Sequence, residues 1–154
     1  MGALVLAASL LLAPPAFTPA PGWHVKRGSV SCPGVPRRLC PVVGIASTTR
    51  WRDCLNCLPH KTIAALPRTA IAIQIQVVEA TSRRVDKTFR WPLRLRPADV
   101  QAGFEGVPHR YGVYEGTTRV GGRDVSVFVF FGRARPSRRQ LQTANAELRR
   151  AQLA

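Results

Sequence analysis

The chain has 154 residues, of which 45% are hydrophobic, so it is long enough for one domain with an ordinary apolar core. Its formal net charge is +15, from 23 basic and only 8 acidic residues. No block of the sequence resembles a polybasic tail, so the excess charge is expected as a diffuse field over the fold. Arginine outnumbers lysine as in proteins of GC-rich genomes, but the shortage of acids predicts attraction to an anionic surface or polymer.

Residues 1–22 have the composition of a signal-like or short membrane-anchor segment. The apolar run Ala3–Ala13 spans about 11 residues, whereas a membrane-spanning helix needs roughly 20. The run matches the apolar region of a secretory signal, and small residues at 18–20 offer a cleavage site. No basic residue precedes the run, and a transit peptide is the alternative because no acid occurs before Asp53. We therefore expect a secreted protein or one associated with the cell envelope.

All four cysteines fall in an irregular, proline-containing segment, residues 23–66: Cys32, Cys40, Cys54 and Cys57. An even number of cysteines in an exported protein favours two structural disulfides, and their connectivity stays open. Zinc binding in a nucleic-acid-binding protein is an alternative, since His60 follows Cys57 closely. Structural zinc sites usually contain two tight knuckles, however, and only the second cysteine pair is tight. The sequence therefore predicts disulfides and no metal site.

The sequence around the second cysteine pair resembles the active site of thioredoxin, in that Trp51 precedes Cys54 and Cys57. Residues 106–108, Gly-Val-Pro, resemble that family's turn before a cis-proline. The resemblance implies thiol–disulfide exchange, with Cys54 as the attacking thiolate and Cys57 as the resolving thiol. Two residues separate Trp51 from Cys54, whereas in the family the tryptophan directly precedes the cysteine. Oxidoreductase activity is therefore the alternative function, and structural disulfides are preferred.

Residues 67–154 are predicted to form a β-rich domain. Thr69–Ala80 carries β-branched residues at every second position, which predicts a strand with one buried face. Lys87–Arg96 alternates large apolar residues with arginines and is predicted as the hairpin neighbour of that strand. Pro92 cannot donate to a ladder, so this second strand is expected at a sheet edge.

The arginines of the second strand, Arg90, Arg94 and Arg96, are the candidate anion-binding residues. Residues two apart on a strand point the same way at a spacing of roughly 6.5–7 Å. Such a row suits phosphates or an acidic polymer. Charge on an edge strand also prevents edge-to-edge aggregation, and this protective role is the preferred interpretation.

The C-terminal third predicts short strands at 111–115 and 117–120, a hairpin at Gly121-Gly122, and a strand over 124–131. The last strand is apolar on both faces, which indicates a central strand covered by a helix. Ser137 and Gln140 have the spacing of a capping box, and an apolar stripe follows at helical periodicity. We therefore expect an α+β fold with a mainly antiparallel sheet of about four to six strands, packed by a C-terminal amphipathic helix.

The C-terminal part of the chain resembles the ends of uncharacterised exported proteins from high-GC Gram-positive bacteria. The residues that carry this resemblance are 127–132, Pro136-Ser137, Gln140-Leu141 and 144–148. This resemblance implies an envelope location more than any activity. The sequence contains no nucleophile elbow, zinc-protease motif, P-loop or dinucleotide fingerprint. We therefore expect a non-catalytic binding or interaction protein without catalytic residues or a cofactor, and nucleic acid is not the favoured partner.

Overall fold

The computed structural model describes residues 16–31, 39–50, 63–78, 89–104 and 106–153, with the backbone alone at 28–31, 39–45 and 78. It confirms the α+β fold with a mainly antiparallel sheet and a C-terminal helix. The elements are β1 (Ala16–Phe17), β2 (His24–Ser31), β3 (Leu39–Ser47), β4 (Ile71–Val78), β5 (Gln101–Phe104), β6 (Val107–Val120), β7 (Arg123–Phe131), α1 (Arg138–Leu148) and β8 (Ala151–Gln152).

The main sheet has six strands in the order β2-β3-β4-β7-β6-β5, and every neighbouring pair is antiparallel. A separate two-stranded sheet joins β1 to β8. The strand predicted over 69–80 is β4, and the strand predicted over 124–131 is β7. These two strands pair with each other at the centre of the sheet, with Ile73 opposite Val129.

The β6–β7 hairpin turns at Gly121 and Gly122, whose φ angles are 55° and 75°. This is the predicted turn, because two adjacent residues with positive φ favour glycine. β6 is a single strand of 14 residues, whereas the sequence predicts two shorter strands interrupted at Gly116. Gly116 is a packing position: a Cβ there would collide with the Tyr114 hydroxyl and the Phe89 ring. The strand runs through it because the missing side chain makes room for these rings.

The predicted strand over 87–96 is wrong for the residues that the structure describes, 89–96, which join no sheet. Their alternation nevertheless holds, since Leu93 and Leu95 are buried while the intervening arginines are exposed. The Leu95 N–H donates to Asn145 Oδ1 at 2.7 Å, and Asn145 Nδ2 donates to the Leu95 carbonyl at 3.0 Å. A helix side chain thus satisfies the backbone groups that a neighbouring strand would satisfy. The alternating burial of residues 89–96 therefore results from packing on the core, and these residues do not pair with a neighbouring strand.

The prediction of an irregular segment over residues 23–66 is also wrong in part, because β2 and β3 lie within it and extend the main sheet. Both strands contain a register shift, between Lys26 and Gly28 and between Val42 and Gly44. Pro41 lies just before the second shift. Bulges accommodate glycine in a sheet, as at Gly28 and Gly44, and Pro41 pairs with Ser29 of β2 outside the pairing of β3 with β4, so none of these residues ends its strand.

Two apolar clusters cover the two faces of β7. One face contributes Val125, Val127, Val129 and Phe131 to the cluster that contains the α1 residues Leu141, Ala144 and Leu148. Phe130 belongs to the opposite cluster, together with Ile63, Leu66, Ala70, Ala72, Val107, Tyr111 and Val113. The expectation of a central strand covered by a helix on one side is therefore confirmed. In the described ranges, no helix is both long enough and apolar enough to cross a membrane.

The chain from Ala16 to Ala20 belongs to the folded domain. The side chain of Phe17 is completely buried in the helix-side cluster. The Ala20 N–H donates to Oε2 of Glu147 at 2.9 Å, which gives a hydrogen-bond partner to a carboxylate that is only 5% exposed. Cleavage after Ala20 would remove Phe17 and this N–H from their partners. The rest of the predicted signal-like segment, residues 1–15, lies outside the described residues.

Phe17→Ala is expected to lower the free energy of unfolding by about 3–5 kcal/mol, because it deletes a fully buried aromatic ring from the core. Urea denaturation followed by circular dichroism measures the change. Val25→Ala is the control, since Val25 is 44% exposed and its truncation is expected to change stability by less than about 1 kcal/mol. Equal losses for the two variants would contradict the integration of β1 into the core.

Candidate anion-binding cleft

The predicted anion-binding residues Arg90, Arg94 and Arg96 are all exposed. Of these three arginines, only Arg96 makes a salt bridge to a described residue: its Nη2 lies 3.3 Å from Asp99 Oδ1. The Arg96 N–H also donates to Asp99 Oδ2 at 2.8 Å. Arg96 precedes a short 3-10 turn, residues 97–99. The charge available for a ligand is therefore that of Arg90 and Arg94, and these residues do not stand in the regular row that a strand would provide.

The Arg96–Asp99 pair changes the acidity of both groups. Burial alone would raise the pKa of Asp99, but the hydrogen bonds and the charge of Arg96 outweigh it and lower the pKa below its ordinary value. The hydrogen bond to Asp99 raises the pKa of Arg96. Arg96 is thus committed to an internal partner, in contrast to its two neighbours.

The cysteine hypotheses depend mainly on residues that the structure does not describe, because Cys32, Cys54 and Cys57 all lie outside the described ranges. Of Cys40 the backbone is described, in β3 opposite Val30. Disulfide pairing, thiol–disulfide exchange and zinc binding therefore remain predictions. Among the side chains that the structure does describe, no three potential metal ligands are grouped together.

A solvent-open cleft of about 560 Å³ lies where β6, the end of β7 and the chain before β4 meet. Of the residues that the structure describes, four arginines line it, and no acidic residue does. The lining residues are Ala64, Ala65, Leu66, Arg68, Arg110, Tyr111, Gly132, Arg133, Ala134 and Arg135. This volume lies within the range of about 300–1,000 Å³ that is usual for ligand sites.

Residues 64–70 hold the walls of the cleft together, first through Gly132 at the end of β7. The Gly132 N–H donates to the Ala70 carbonyl at 3.1 Å. A Cβ atom at position 132 would collide with the Pro67 carbonyl, so only glycine allows the two backbones this approach. The contact fixes the start of the segment that carries Arg133 and Arg135.

The start of α1 is bound to the same segment. The Gln140 side chain donates through Nε2 to the carbonyls of Arg68 at 3.1 Å and Ala70 at 3.3 Å. Its Oε1 accepts from the Ser137 N–H at 2.9 Å, and the Ser137 hydroxyl accepts from the Gln140 N–H. The predicted capping box is therefore present, and its glutamine also joins the helix to the turn that carries Arg68.

β6 supplies the third wall. The Tyr111 hydroxyl donates to the Ala64 carbonyl at 2.6 Å, and Arg110 Nη2 donates to the same oxygen at 3.3 Å. The Arg110 guanidinium carbon lies 4.8 Å from the centre of the Tyr111 ring, within cation–π distance. Tyr111 is only 3% exposed, so its ring forms a closed floor beneath the charged rim.

The positive charge of the cleft is not neutralised by the acids that the structure describes. Asp99, Asp124 and Glu147 make their salt bridges with Arg96, Arg119 and Arg150, none of which lines the cleft. No cleft arginine has a salt bridge to a described acid. The local potential therefore favours an anion, and guanidinium groups bind phosphates and carboxylates through paired hydrogen bonds.

Sequence reasoning missed this cleft because its arginines come from three separate stretches of chain that only the tertiary fold brings together. One signal was present. Residues 133–139 contain Arg133, Arg135, Arg138 and Arg139 without an acid, which is the densest run of basic charge in the sequence. Arg138 and Arg139 lie in the first turn of α1, and both are exposed.

Gln140→Ala is expected to lower the free energy of unfolding by about 1–3 kcal/mol, since it removes the capping-box acceptor and leaves two carbonyls without their donor. Chemical denaturation checks the value. Gln142→Ala, on the exposed side of the same helix, is the matched control and is expected to be nearly neutral. A loss no larger than that of the control would show that Gln140 does not fasten the helix to the cleft.

Comparison of the chain with protein-family models, with curated proteins and with solved structures finds no significant match.

Proposed function

We propose that this protein is a non-catalytic binding protein of the cell envelope, which holds an anionic partner in the cleft formed by Arg68, Arg110, Arg133 and Arg135. One observation carries the proposal: among the described residues, four arginines line a single open cleft and no acidic side chain does. The envelope location is proposed from the composition of residues 1–22 alone. It does not enter the argument for the cleft.

The chemistry of the lining supports binding rather than catalysis. Arginine stays protonated at physiological pH and offers a planar array of donors, which suits recognition of a charged oxygen group and not proton transfer. Among the described residues of the lining, Tyr111 is the only titratable side chain other than arginine, and its hydroxyl donates to a backbone carbonyl. The cleft thus provides positive charge and shape, without a nucleophile or a general base in its lining.

The exposed row of Arg90, Arg94 and Arg96 is the second candidate surface. It has less free charge, because Arg96 is paired with Asp99. Its Arg90 end is also distant from the cleft. The Phe89 carbonyl accepts from the Thr118 hydroxyl, and Thr118 lies eight residues beyond Arg110 on β6. At about 3.4 Å per residue, this separation along the strand is roughly 27 Å.

The double variant R133Q/R135Q tests the proposal by retention on an anionic column. It is expected to elute at a clearly lower salt concentration than the unmodified protein, because two of the four cleft charges are lost. The matched control is R90Q/R94Q, which removes the same number of charges from the other surface and is expected to elute close to the unmodified protein. Thermal unfolding of both variants verifies that the fold is intact.

The comparison separates a localised site from general charge. Equal shifts in the two variants would mean that retention follows net charge, and the cleft would not be the binding site. A larger shift in R90Q/R94Q would place binding on the Arg90–Arg94 surface. Either result would overturn the proposal.

A further inference from the structure

The basic charge of the cleft continues beyond its rim. Arg138 and Arg139 follow Arg135 by three and four residues, are exposed, and occupy the first turn of α1. The Gln140 hydrogen bonds to the carbonyls of Arg68 and Ala70 hold this first turn against the chain that carries Arg68. Arg138 and Arg139 thus follow the cleft residue Arg135 closely along the chain, and together with the four cleft arginines they make six.

The side chains provide this charge, rather than the free end of the helix. The Ser137 hydroxyl already accepts from the Gln140 N–H, and the Gln140 side chain accepts from the Ser137 N–H. The arginines at 138 and 139 make no salt bridge to any acid in the described residues. A ligand that leaves the cleft on this side would meet two further unneutralised guanidinium groups.

The lining also argues against recognition of nucleic-acid bases. Proteins that bind single strands stack bases on open aromatic faces. Tyr111 is the only aromatic side chain among the described residues that line the cleft, and it is 3% exposed and lies under the Arg110 guanidinium. The surface offers contacts to repeated charged groups and no platform for a base.

We infer that the ligand is a linear chain of phosphate groups without bases, linked directly or through a polyol, which occupies the cleft and continues over Arg138 and Arg139. This inference rests on the proposed function and specifies its ligand. A compact anion would contact only the cleft, whereas a chain would gain from all six arginines. Affinity should then rise with the number of phosphates until the surface is filled.

The test measures binding of the full chain to orthophosphate, tripolyphosphate, long-chain inorganic polyphosphate and a polyglycerol phosphate with the same number of phosphates. Isothermal titration at several salt concentrations gives the affinity and its salt dependence. Long chains are expected to bind at least tenfold more tightly than tripolyphosphate when concentrations are counted per phosphate. With six contacts the slope of log K against log salt is expected near −4, at about −0.7 per neutralised phosphate.

The variant R138Q/R139Q distinguishes a chain from a compact anion. It is expected to weaken binding of the long polymers several-fold and to reduce their salt slope by about 1 to 2, while binding of tripolyphosphate stays unchanged. R90Q/R94Q is the control of equal charge and is expected to leave both unchanged. The two polymers differ in linkage, so the tighter one identifies which source the surface fits.

Each contrary outcome has a separate meaning. If tripolyphosphate binds as tightly as the long chains and R138Q/R139Q weakens neither, the inference fails while anion binding in the cleft stands. If single-stranded DNA of equal phosphate number binds more tightly than both polymers, the base-free ligand is wrong. If no anion binds, or R133Q/R135Q weakens none of them, the proposed function itself fails.

Discussion

The structure depends on the burial of β7 from both sides. Val125, Val127, Val129 and Phe131 face the helix, while Phe130 faces the opposite cluster, so neither surface of this strand can remain in water. One face requires α1, and the other requires the chain around Ile63–Leu66. The second requirement brings residues 64–70 to the end of β7. Burial of both faces of the central strand β7 thus forms the cleft in which the arginines meet.

The balance between buried and exposed charge follows from this arrangement. The carboxylates of Asp124 and Glu147 are largely buried, and each has a nearby arginine that reduces the cost of its desolvation. These pairs are local, at sequence separations of five and three residues. Asp99, Asp124 and Glu147 are all paired with arginines outside the cleft, and none of them makes a salt bridge with an arginine that lines the cleft. Concentrated positive charge at the cleft therefore arises from where the acids lie as much as from where the arginines lie.

Local patterns predicted the elements whose stability is decided locally. The alternation of Ile71–Val78, the Gly121-Gly122 turn and the Ser137–Gln140 capping box all have their expected structures. The segment 89–96 did not follow its pattern, because alternating burial requires only an extended chain on a core, and Asn145 supplies the hydrogen bonds. β2 and β3 were missed because Gly28 and Gly44 lie at bulges, and Pro41 lies just outside the pairing of β3 with β4, and a sequence pattern reveals neither.

The cleft could not be predicted from the sequence for a different reason. Arg68, Arg110 and Arg133 are far apart along the chain, and their convergence depends on a backbone contact between Gly132 and the residues before β4. The missing side chain at Gly132 is readable in the sequence, but its partner, the Pro67 carbonyl, is not. The candidate row of Arg90, Arg94 and Arg96 was visible because those residues are adjacent in sequence. The cleft has more unpaired charge, but its arginines are not adjacent in sequence, so no sequence pattern reveals it.

The two ends of α1 face different parts of the chain, and this gives the domain a direction. Glu147 in its last turn accepts from Ala20, and β8 beyond it pairs with β1, whereas Gln140 in its first turn is bound to the wall of the cleft. The 11 residues of the helix cover roughly 16 Å at about 1.5 Å per residue. β1 therefore lies at the Glu147 end of the helix, and the cleft lies at the Gln140 end. A partner bound in the cleft would therefore approach the domain from the side remote from its N-terminal strand.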